Sequence, residues 1–530
     1  MTEPNPRSEP IGQPPEPPSG ERGSASAPEV SSPALDVILG EIETVVEPVT
    51  ESVSMAPAVG IAVAGGPMIT LPEREQGPDA VPLGNSVRSG LSQAGPVAIA
   101  GTIVNGAGAL VVVVVARLVT PQAYGAIAQL LGLFFILSMP GSAVLVGVVR
   151  RVTAMQNAGH AHQVRRWVGK VHRVALAAIA VEVVVVLLLQ GWIARQLSLP
   201  NSQGIFLILV SAGVWILLCV DRGLLQAHRG YRALAGNLLM EGAIRTLFVL
   251  LLVADHFGVA GYAIGIFIGE VVATAHAHWL ASKTWSKGGA VTAPVDGYVA
   301  KADSSLVRRR LMADVSAAFG GLALLGLLQN VDVILLGRLD HANVGPYAAI
   351  SVASKALVFG ALALGAYLLP EATIRWNEGG HAIRQLGVTL IFLAVPAVVL
   401  LGISVFVPRW FLTLVFSAKL SSAAPAFATL VVAMICLSFS VLVTNYLFGT
   451  GSRWIVLLLA GGSTAAVALV SGAHGRALAT ARADLVAQFV LALAMGVAFV
   501  AIHHRHRGQQ WILGSGRRPD ASTAKAPDGE

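Results

Sequence analysis

Charged side chains are scarce in this sequence. Of its 530 residues, 12% are charged and 55% are hydrophobic. A soluble domain carries roughly 25% charged residues, so this chain has too little charge to cover a globular surface. Because its apolar surface must face something other than water, we predict an integral membrane protein rather than a soluble enzyme.

Cysteines and catalytic motifs are also few. The two cysteines, Cys219 and Cys436, lie within apolar runs, where each is expected to be a small buried hydrophobe. This pattern indicates neither a disulfide framework nor a metal site. The sequence has no G-x-x-x-x-G-K-[ST] phosphate loop, so ATP hydrolysis by such a loop is not expected. No cofactor and no nucleic-acid partner are predicted.

The first 93 residues differ in composition from the rest of the chain. They hold 15 of the 27 prolines, and 13 acidic residues against four arginines. Such a segment buries too little apolar surface to offset its ordering entropy. It also lacks the basic start and apolar run of a signal peptide. We predict that residues 1–93 form a disordered, acidic, proline-rich cytosolic tail.

Long apolar runs fill the remainder. A spanning helix needs about 20 apolar residues, and continuous runs favour helices over a barrel, whose strands would alternate. We predict an all-α integral membrane protein with about twelve transmembrane helices. The predicted spans are 94–116, 124–149, 174–194, 204–220, 233–253, 258–282, 312–336, 347–369, 386–407, 423–447, 454–473 and 484–502. They form an N-terminal six-helix bundle (94–282) and a C-terminal one (312–502), separated by a cytosolic linker (283–311) and followed by a basic cytosolic tail (503–530).

Lysine and arginine predict the orientation of these spans. If the N-terminus is cytosolic, the inside loops and the C-terminal tail hold 23 basic residues, whereas the outside loops hold 7. Cytosolic loops of membrane proteins carry an excess of lysine and arginine. We therefore predict a multi-pass protein of the inner or plasma membrane with both termini in the cytoplasm.

Two landmarks recur at one spacing along the chain. The first span ends in Ala-Arg-Leu at Arg117, and the seventh ends in Gly-Arg-Leu at Arg338. A glycine-containing turn with an arginine follows the fourth span at Arg232 and the tenth at Arg453. Both pairs are separated by 221 residues. We therefore predict two six-helix repeats that are parallel in the membrane, an architecture found in transporters. Chance matching within apolar sequence is the alternative.

Three segments carry a resemblance to a known family. They are Leu118–Gly125 between the first two spans, Leu224–Arg245 with its Glu241, and Asn330–Gly337 with Tyr347 after it. Their order resembles the polysaccharide-biosynthesis branch of the multidrug/oligosaccharidyl-lipid/polysaccharide exporter superfamily over roughly residues 90–505. The tail at 1–93 lies outside this resemblance.

The resemblance implies a flippase. Such a protein moves a lipid-linked oligosaccharide or polysaccharide precursor, usually on a polyprenyl diphosphate, across the cytoplasmic membrane by alternating access. The implied partners are membrane lipid, the lipid-linked glycan, and glycan-assembly proteins that could bind the N-terminal tail. A large anionic head group would need a wet, cationic cavity between the halves, whereas the lipid tail could remain in the bilayer.

Two alternatives stay open. One is a small-molecule or multidrug cation antiporter of the same fold, because a fold does not fix function. The first span, 94–116, carries no charge, so it lacks a carboxylate that could bind cations there. The other is a membrane glycosyltransferase or ligase, which should place catalytic residues in a sizeable outside loop. The outside loops here are short.

Arg245 is the first candidate cavity residue. It lies about 18 Å along its helix, near the midplane of a hydrocarbon core about 30 Å thick. Its guanidinium could grip a diphosphate with two hydrogen bonds. Glu241, four residues earlier on the same helix face, could instead simply neutralise it.

The second half supplies the other candidates. Lys355 could line the same cavity as Arg245, or its ammonium could reach the outer interface. Asp332 could pair with Arg338 or with Lys355, and we favour a structural role for it over proton coupling. Two further acidic residues in spans, Glu182 and Glu270, have no obvious partner in the sequence.

The loop after the second span carries an amphipathic pattern. Val164, Trp167, Val168 and Val171 follow helical spacing, and basic residues fill the positions between them. This pattern is typical of an interfacial helix whose cations meet anionic lipid heads. The candidate membrane-surface residues are Arg165, Arg166, Trp167, Lys170 and Arg173. Three nearby histidines, His160, His162 and His172, do not have the spacing of a strong metal site.

Overall fold

The computed structural model describes residues 83–157, 161–197, 199, 204–286, 304–377 and 383–515. Within these ranges the chain is all-helical. The α-helices are α1 (Leu83–Leu118), α2 (Pro121–Ser138), α3 (Gly141–Asn157), α4 (Ala161–Gln196), α5 (Ile205–Ala227), α6 (Tyr231–Ala254), α7 (Gly258–Ser286), α8 (Ser304–Leu339), α9 (Val344–Asn377), α10 (Ile383–Phe406), α11 (Pro408–Val415), α12 (Ala424–Gly449), α13 (Ile455–Ser471) and α14 (Ala477–Ser515). A short 3₁₀ helix, Ala418–Ala423, precedes α12.

The helices confirm a multi-pass, all-α membrane protein with about twelve transmembrane segments. Eleven helical segments in the described ranges are long and apolar enough to cross a membrane. The predicted eleventh span, 454–473, corresponds to α13, which is apolar but has only 17 residues. At 1.5 Å per residue it is about 26 Å long, somewhat less than a typical hydrocarbon core.

Several helix ends differ from the predicted domain boundaries. Helix α1 begins at Leu83, inside the predicted tail 1–93, and α14 continues to Ser515, beyond the predicted end of the last span. The remainder of the N-terminal tail, residues 287–303 of the predicted linker, and residues 516–530 lie outside the described residues.

The second predicted span, 124–149, is broken rather than continuous. Helix α2 ends at Ser138, and α3 starts at Gly141. Pro140 lies between them, and a proline inside a helix removes one backbone donor and clashes with the preceding turn. The span is therefore two helices with a bend, which the apolar run alone did not reveal.

The helices of the two halves pack in the same pattern. In the N-terminal half α1 packs on α6, α5 contacts α2, α3, α4 and α7, and α6 packs on α7. In the C-terminal half α8 packs on α13, α12 contacts α9, α10 and α14, and α13 packs on α14. Span by span these are equivalent pairings. The arrangement is the one that two six-helix repeats would produce.

Helices α5 and α12 form the centres of the two halves. In the most apolar stretch of α5, 72% of the residues are buried, and in that of the segment containing α12 the share is 67%. The corresponding share in α4 is only 6%. The apolar side chains that α4 exposes would face lipid in a membrane. Each half thus encloses one central helix at its fourth span.

The halves meet mainly through α2, which packs on α8 and α9. Glycines allow this close approach: a Cβ on Gly125 would lie 2.8 Å from the backbone nitrogen of Gly345, and one on Gly326 would lie 3.0 Å from the Cα of Ile136. Near the same end, Arg117 donates a hydrogen bond to the carbonyl of Leu414 in α11. These contacts join the halves from the predicted outer surface inward, whereas α3, beyond the bend, packs mainly on α5.

Candidate functional site

A charged cluster, here called the N-half cluster, lies between α5, α6 and α7. Its centre is Glu241, which is 2% exposed. One oxygen, Oε2, lies 2.5 Å from Nη2 of Arg222, and the other, Oε1, lies 2.9 Å from Nη1 of Arg245. The predicted pairing of Glu241 with Arg245 is therefore present, but Glu241 bridges two arginines rather than one.

Arg222 is a site residue that the sequence reasoning missed. It was counted among the cytosolic loop cations, yet it lies in the last turns of α5 and is 3% exposed. Besides its ion pair with Glu241, its Nε donates to Oδ1 of Asn237 at 2.8 Å, and Asn237 in turn donates to the carbonyl of Ala273 at 2.9 Å. Without Arg222, the predicted inside loops and C-terminal tail still hold 22 basic residues against 7 in the outside loops, so the predicted orientation is unchanged.

Glu270 of α7 completes the N-half cluster. Its carboxylate is fully buried, and Oε1 lies 3.6 Å from Nη1 of Arg245. Neither carboxylate oxygen has a hydrogen-bond partner within the described residues. The sequence offered no partner for Glu270, because the partner lies on another helix. The side chain of Arg245 is 27% exposed, which makes it the most accessible member of the cluster.

A stripe of glycines on α7 brings this cluster together. Gly261, Gly265 and Gly269 recur every four residues, and small residues at this spacing let transmembrane helices approach closely. A Cβ on Gly265 would lie 2.6 Å from the backbone nitrogen of Val249, and one on Gly269 would lie 2.8 Å from the Cβ of Arg245. The close contact between α6 and α7 places Glu270 beside Arg245.

A second cluster, here called the C-half cluster, lies on α8, α9 and α14. Nζ of Lys355 is 3.6 Å from Oδ1 of Asp332 and donates to Oδ1 of Asn330 at 3.2 Å. Ser351 donates to Oδ2 of Asp332 at 3.1 Å. Lys355, one of the two partners considered for Asp332, therefore pairs with it. With a side chain that is 8% exposed, Lys355 does not reach the outer interface.

Asp484 of α14 extends the C-half cluster. It is fully buried, and its Oδ1 accepts a hydrogen bond from Nε2 of Gln488 at 3.1 Å. The other oxygen, Oδ2, has no hydrogen-bond partner among the described residues. The sequence analysis does not single out Asp484, although the predicted last span, 484–502, begins at this residue.

The two clusters use different helices of the two halves. Arg245 lies on the fifth span and Lys355 on the eighth, so these candidates are not equivalent positions of the repeat. Each is already paired with a carboxylate of its own cluster. The hypothesis that both line one shared cavity remains a prediction.

The predicted membrane-surface residues occupy the first turns of α4. Val164 and Val168 are buried in an apolar cluster with Val152 of α3 and Leu224 of α5. The basic residues Arg165, Arg166 and Arg173 are exposed, and Trp167 and Lys170 are partly buried. The segment is thus continuous with the third span and packs on the protein through its apolar face, unlike a separate interfacial helix. A role of its cations at anionic lipid stays a prediction.

Comparison with known proteins adds information on the fold. Neither a protein-family model nor a curated protein sequence matches the chain. An inward-facing multidrug resistance MATE family transporter of the MOP superfamily is similar in structure, with TM-score 0.56 and 14% identity over 75% of this chain and 95% of that chain. The Vibrio cholerae MATE transporter VcmN in its bent form gives a TM-score of 0.50 and 17% identity, over 79% of this chain and 97% of the VcmN chain. A mutant of VcmN gives a TM-score of 0.52 and 16% identity, over 78% of this chain and 96% of the VcmN chain.

These similarities show that the chain has the fold of MATE transporters. At identities this low, the similarity shows the fold alone. Among the described residues, both clusters contain at least one buried carboxylate oxygen without a hydrogen bond. The cations Arg222, Arg245 and Lys355 each pair with a carboxylate.

Proposed function

We propose that the protein is a membrane transporter that moves its cargo by alternating access between its two halves. The fold shared with MATE transporters supports this. So does the packing between halves, which is made mainly by α2 on α8 and α9, with fewer contacts from α3 beyond Pro140. A molecule that is joined near one surface and bent near its middle can open toward the other surface by rigid-body movement of its halves.

We further propose that it exchanges a small organic cation for protons or sodium ions. The observation that carries this proposal is Glu270, a fully buried carboxylate whose two oxygens accept no hydrogen bond from any described residue. Ionisable residues at membrane depth are costly and usually functional. A carboxylate held near one arginine, with free oxygen lone pairs, can bind a proton or a cation and release it when the surroundings change.

A flippase for lipid-linked glycans is the second candidate. It is supported by the family resemblance and by the partial exposure of Arg245. A diphosphate would have to compete with Glu241 and Glu270 for this arginine, because both carboxylates already lie within 3.6 Å of it. For this reason the geometry supports the antiporter better than the flippase.

The antiporter is tested by transport into proteoliposomes that contain the purified protein and carry an imposed proton or sodium gradient. The probe is ethidium, a fluorescent organic cation. We expect gradient-dependent uptake, and we expect Glu270→Gln to reduce it at least tenfold. Glu182→Gln on α4 is the matched control, because it makes the same chemical change outside both clusters. Equal loss in the two variants, or no gradient-dependent uptake by the wild type, would contradict the proposal.

The flippase is tested in the same vesicles with a fluorescent polyprenyl-diphosphate oligosaccharide. Reduction by external dithionite measures how much of the probe reaches the outer leaflet. If Arg245 grips the cargo, Arg245→Lys should keep normal protein levels and slow the movement, because lysine keeps the charge but loses the planar fork. Full movement with Arg245→Ala would exclude this role of Arg245.

A further inference from the structure

Three residues outside both clusters meet at one end of the N-terminal half. They are His172 on α4, Asp221 on α5 and His278 on α7. Oδ1 of Asp221 lies 3.0 Å from Nε2 of His172 and 3.4 Å from Nδ1 of His278. All three potential ligand atoms lie within 4.8 Å of one another. Under the predicted topology this end faces the cytosol.

The other ring nitrogen of His172 decides how this contact can be made. Nδ1 lies 3.0 Å from the carbonyl oxygen of Val168, which can only accept a hydrogen bond, so Nδ1 carries a proton. In a neutral ring Nε2 then bears a lone pair directed at the carboxylate, and two acceptors at 3.0 Å repel. The contact therefore requires a proton between the two groups, on His172 or on the Asp221 carboxyl, or a metal ion bound to both of them. A backbone carbonyl that fixes the tautomer is also the usual outer-shell partner of a metal-binding histidine.

Asp221 gives an independent reason for a bound cation. It is fully buried, and its second oxygen, Oδ2, has no hydrogen-bond partner among the described residues. The neighbouring Arg222 is directed at Glu241 and Asn237 instead. A buried carboxylate needs a compensating charge or full hydrogen bonding. An ion with a fixed positive charge would meet this need at any pH at which the histidines are neutral.

We propose that His172, Asp221 and His278 form a Zn²⁺ site. Two imidazoles and one carboxylate are a zinc ligand set, and a water molecule can fill the fourth tetrahedral position. Ligands at about 2.0 Å from a tetrahedral ion are about 3.3 Å apart, close to the two distances measured from Asp221. Mg²⁺ and Ca²⁺ prefer oxygen ligands, so the two imidazoles disfavour them.

The site would join three helices. It would tie the first turns of α4, with their exposed arginines, to the ends of α5 and α7. His172 and His278 lie 49 and 57 residues from Asp221 in sequence. Because of these separations, the three residues do not form a local sequence motif. The proposal does not depend on which cargo the protein carries, because none of the three residues belongs to the charged clusters.

Zinc binding by the full-length, tag-free protein in detergent tests this proposal. We expect elemental mass spectrometry to find one tightly bound Zn²⁺ per chain. The affinity is measured by competition between the protein and a chelating dye. Loss of one outer-shell partner costs about 10–100-fold in affinity, so loss of a ligand should cost at least about 100-fold. His278→Ala is the preferred variant, because its side chain is 53% exposed and its removal leaves no buried hole.

A matched control separates this site from other histidines. His172→Ala/His278→Ala should abolish the tight site, whereas His503→Ala/His504→Ala, near the end of α14, should leave it intact. Co²⁺ offers a second readout, since four-coordinate Co²⁺ absorbs visible light far more strongly than six-coordinate Co²⁺. Unchanged affinity in the His172/His278 variant, or no stoichiometric Zn²⁺ in the wild type, would overturn the proposal and leave a proton between His172 and Asp221 as the explanation of their contact.

Discussion

At the scale of single residues, Glu241 holds two arginines that come from different helices. Its two oxygens neutralise Arg222 of α5 and Arg245 of α6, and Glu270 approaches only the second of these. Removal of one partner from a buried ion pair is much more harmful than replacement of the whole pair, because a charge is left without compensation. Glu241 is therefore the residue on which the folding of the N-half cluster depends most.

We predict that Glu241→Gln destabilises the protein by about 3–5 kcal/mol, the cost of leaving a buried charge unpaired. The measurement is a thermal unfolding curve of the purified protein in detergent. Arg222→Leu/Glu241→Leu should recover part of the loss, since it removes both charges and leaves Arg245 beside Glu270. If the single and the double variant unfold at the same temperature as the wild type, the cluster does not stabilise the fold.

Arg222 and Glu270 determine what an exchange of Glu241 and Arg245 would do. If Glu241 and Arg245 were an isolated pair on one helix, the exchange would restore the pair in reverse order. In the structure, an arginine at position 241 would lie against Arg222, and a glutamate at position 245 would face Glu270. The exchange should therefore fail to fold whether or not Arg245 binds cargo.

How much of the site the sequence could predict depends on whether partners share a helix. Glu241 and Arg245 lie four residues apart, so their contact follows from helix geometry. The pairing of Asp332 with Lys355 was predicted as one of two alternatives, the other being a pairing with Arg338. Arg222, Asp484 and the histidine partners of Asp221 were not, because their contacts join helices whose packing is not encoded by local spacing.

At the scale of helices, the glycines of α7 determine how close α6 can come. Gly265 faces the backbone of Val249, whereas Gly236 on α6 has open space around its hydrogen atoms. Both are helical glycines, so replacement by alanine improves helix propensity equally, by up to about 1 kcal/mol. Only the packing differs between the two positions.

We predict that Gly265→Ala lowers stability by about 1–3 kcal/mol, the usual cost of overpacking. Gly236→Ala is the control and should leave stability unchanged or slightly raised. Thermal unfolding of the two variants in detergent checks this directly. Equal melting temperatures would show that α6 and α7 tolerate a methyl group between them and that the glycine stripe does not position Glu270.

Most helices were predictable from apolar runs, whereas their ends and bends were not. Length and composition alone separate about twelve spans, because lipid requires a nearly unbroken apolar helix. The bend at Pro140 was missed because the residues on both sides are apolar. The extension of α4 back to Ala161 was missed because its amphipathic first turns pack on protein while resembling a surface helix.

At the scale of the whole molecule, the excess of inside cations predicts the orientation. The test uses a variant in which Cys219 and Cys436 are replaced by serine, with single cysteines at Ser202 or Gly288. A membrane-impermeant maleimide should label the first only from outside and the second only after permeabilisation. The opposite labelling would invert the proposed topology and place the candidate zinc site on the outer side.

The account as a whole requires the two halves to move against each other. Two pairs of exposed positions at or next to helix ends report this movement: Arg232 with Arg453 at the predicted inner surface, and Asp255 with Arg476 at the outer surface. Each pair is separated by 221 residues, so its members occupy equivalent places in the two halves.

The most direct test is the distance between paired spin labels at these positions, measured by double electron–electron resonance in lipid nanodiscs. We predict that a change of pH, or addition of a transported cation, shortens the Arg232–Arg453 distance and lengthens the Asp255–Arg476 distance in the same sample. The Cys-free background and a Glu270→Gln variant, which should not respond to pH, are the controls. Distances that stay fixed under all conditions, or that change in the same direction at both surfaces, would contradict alternating access.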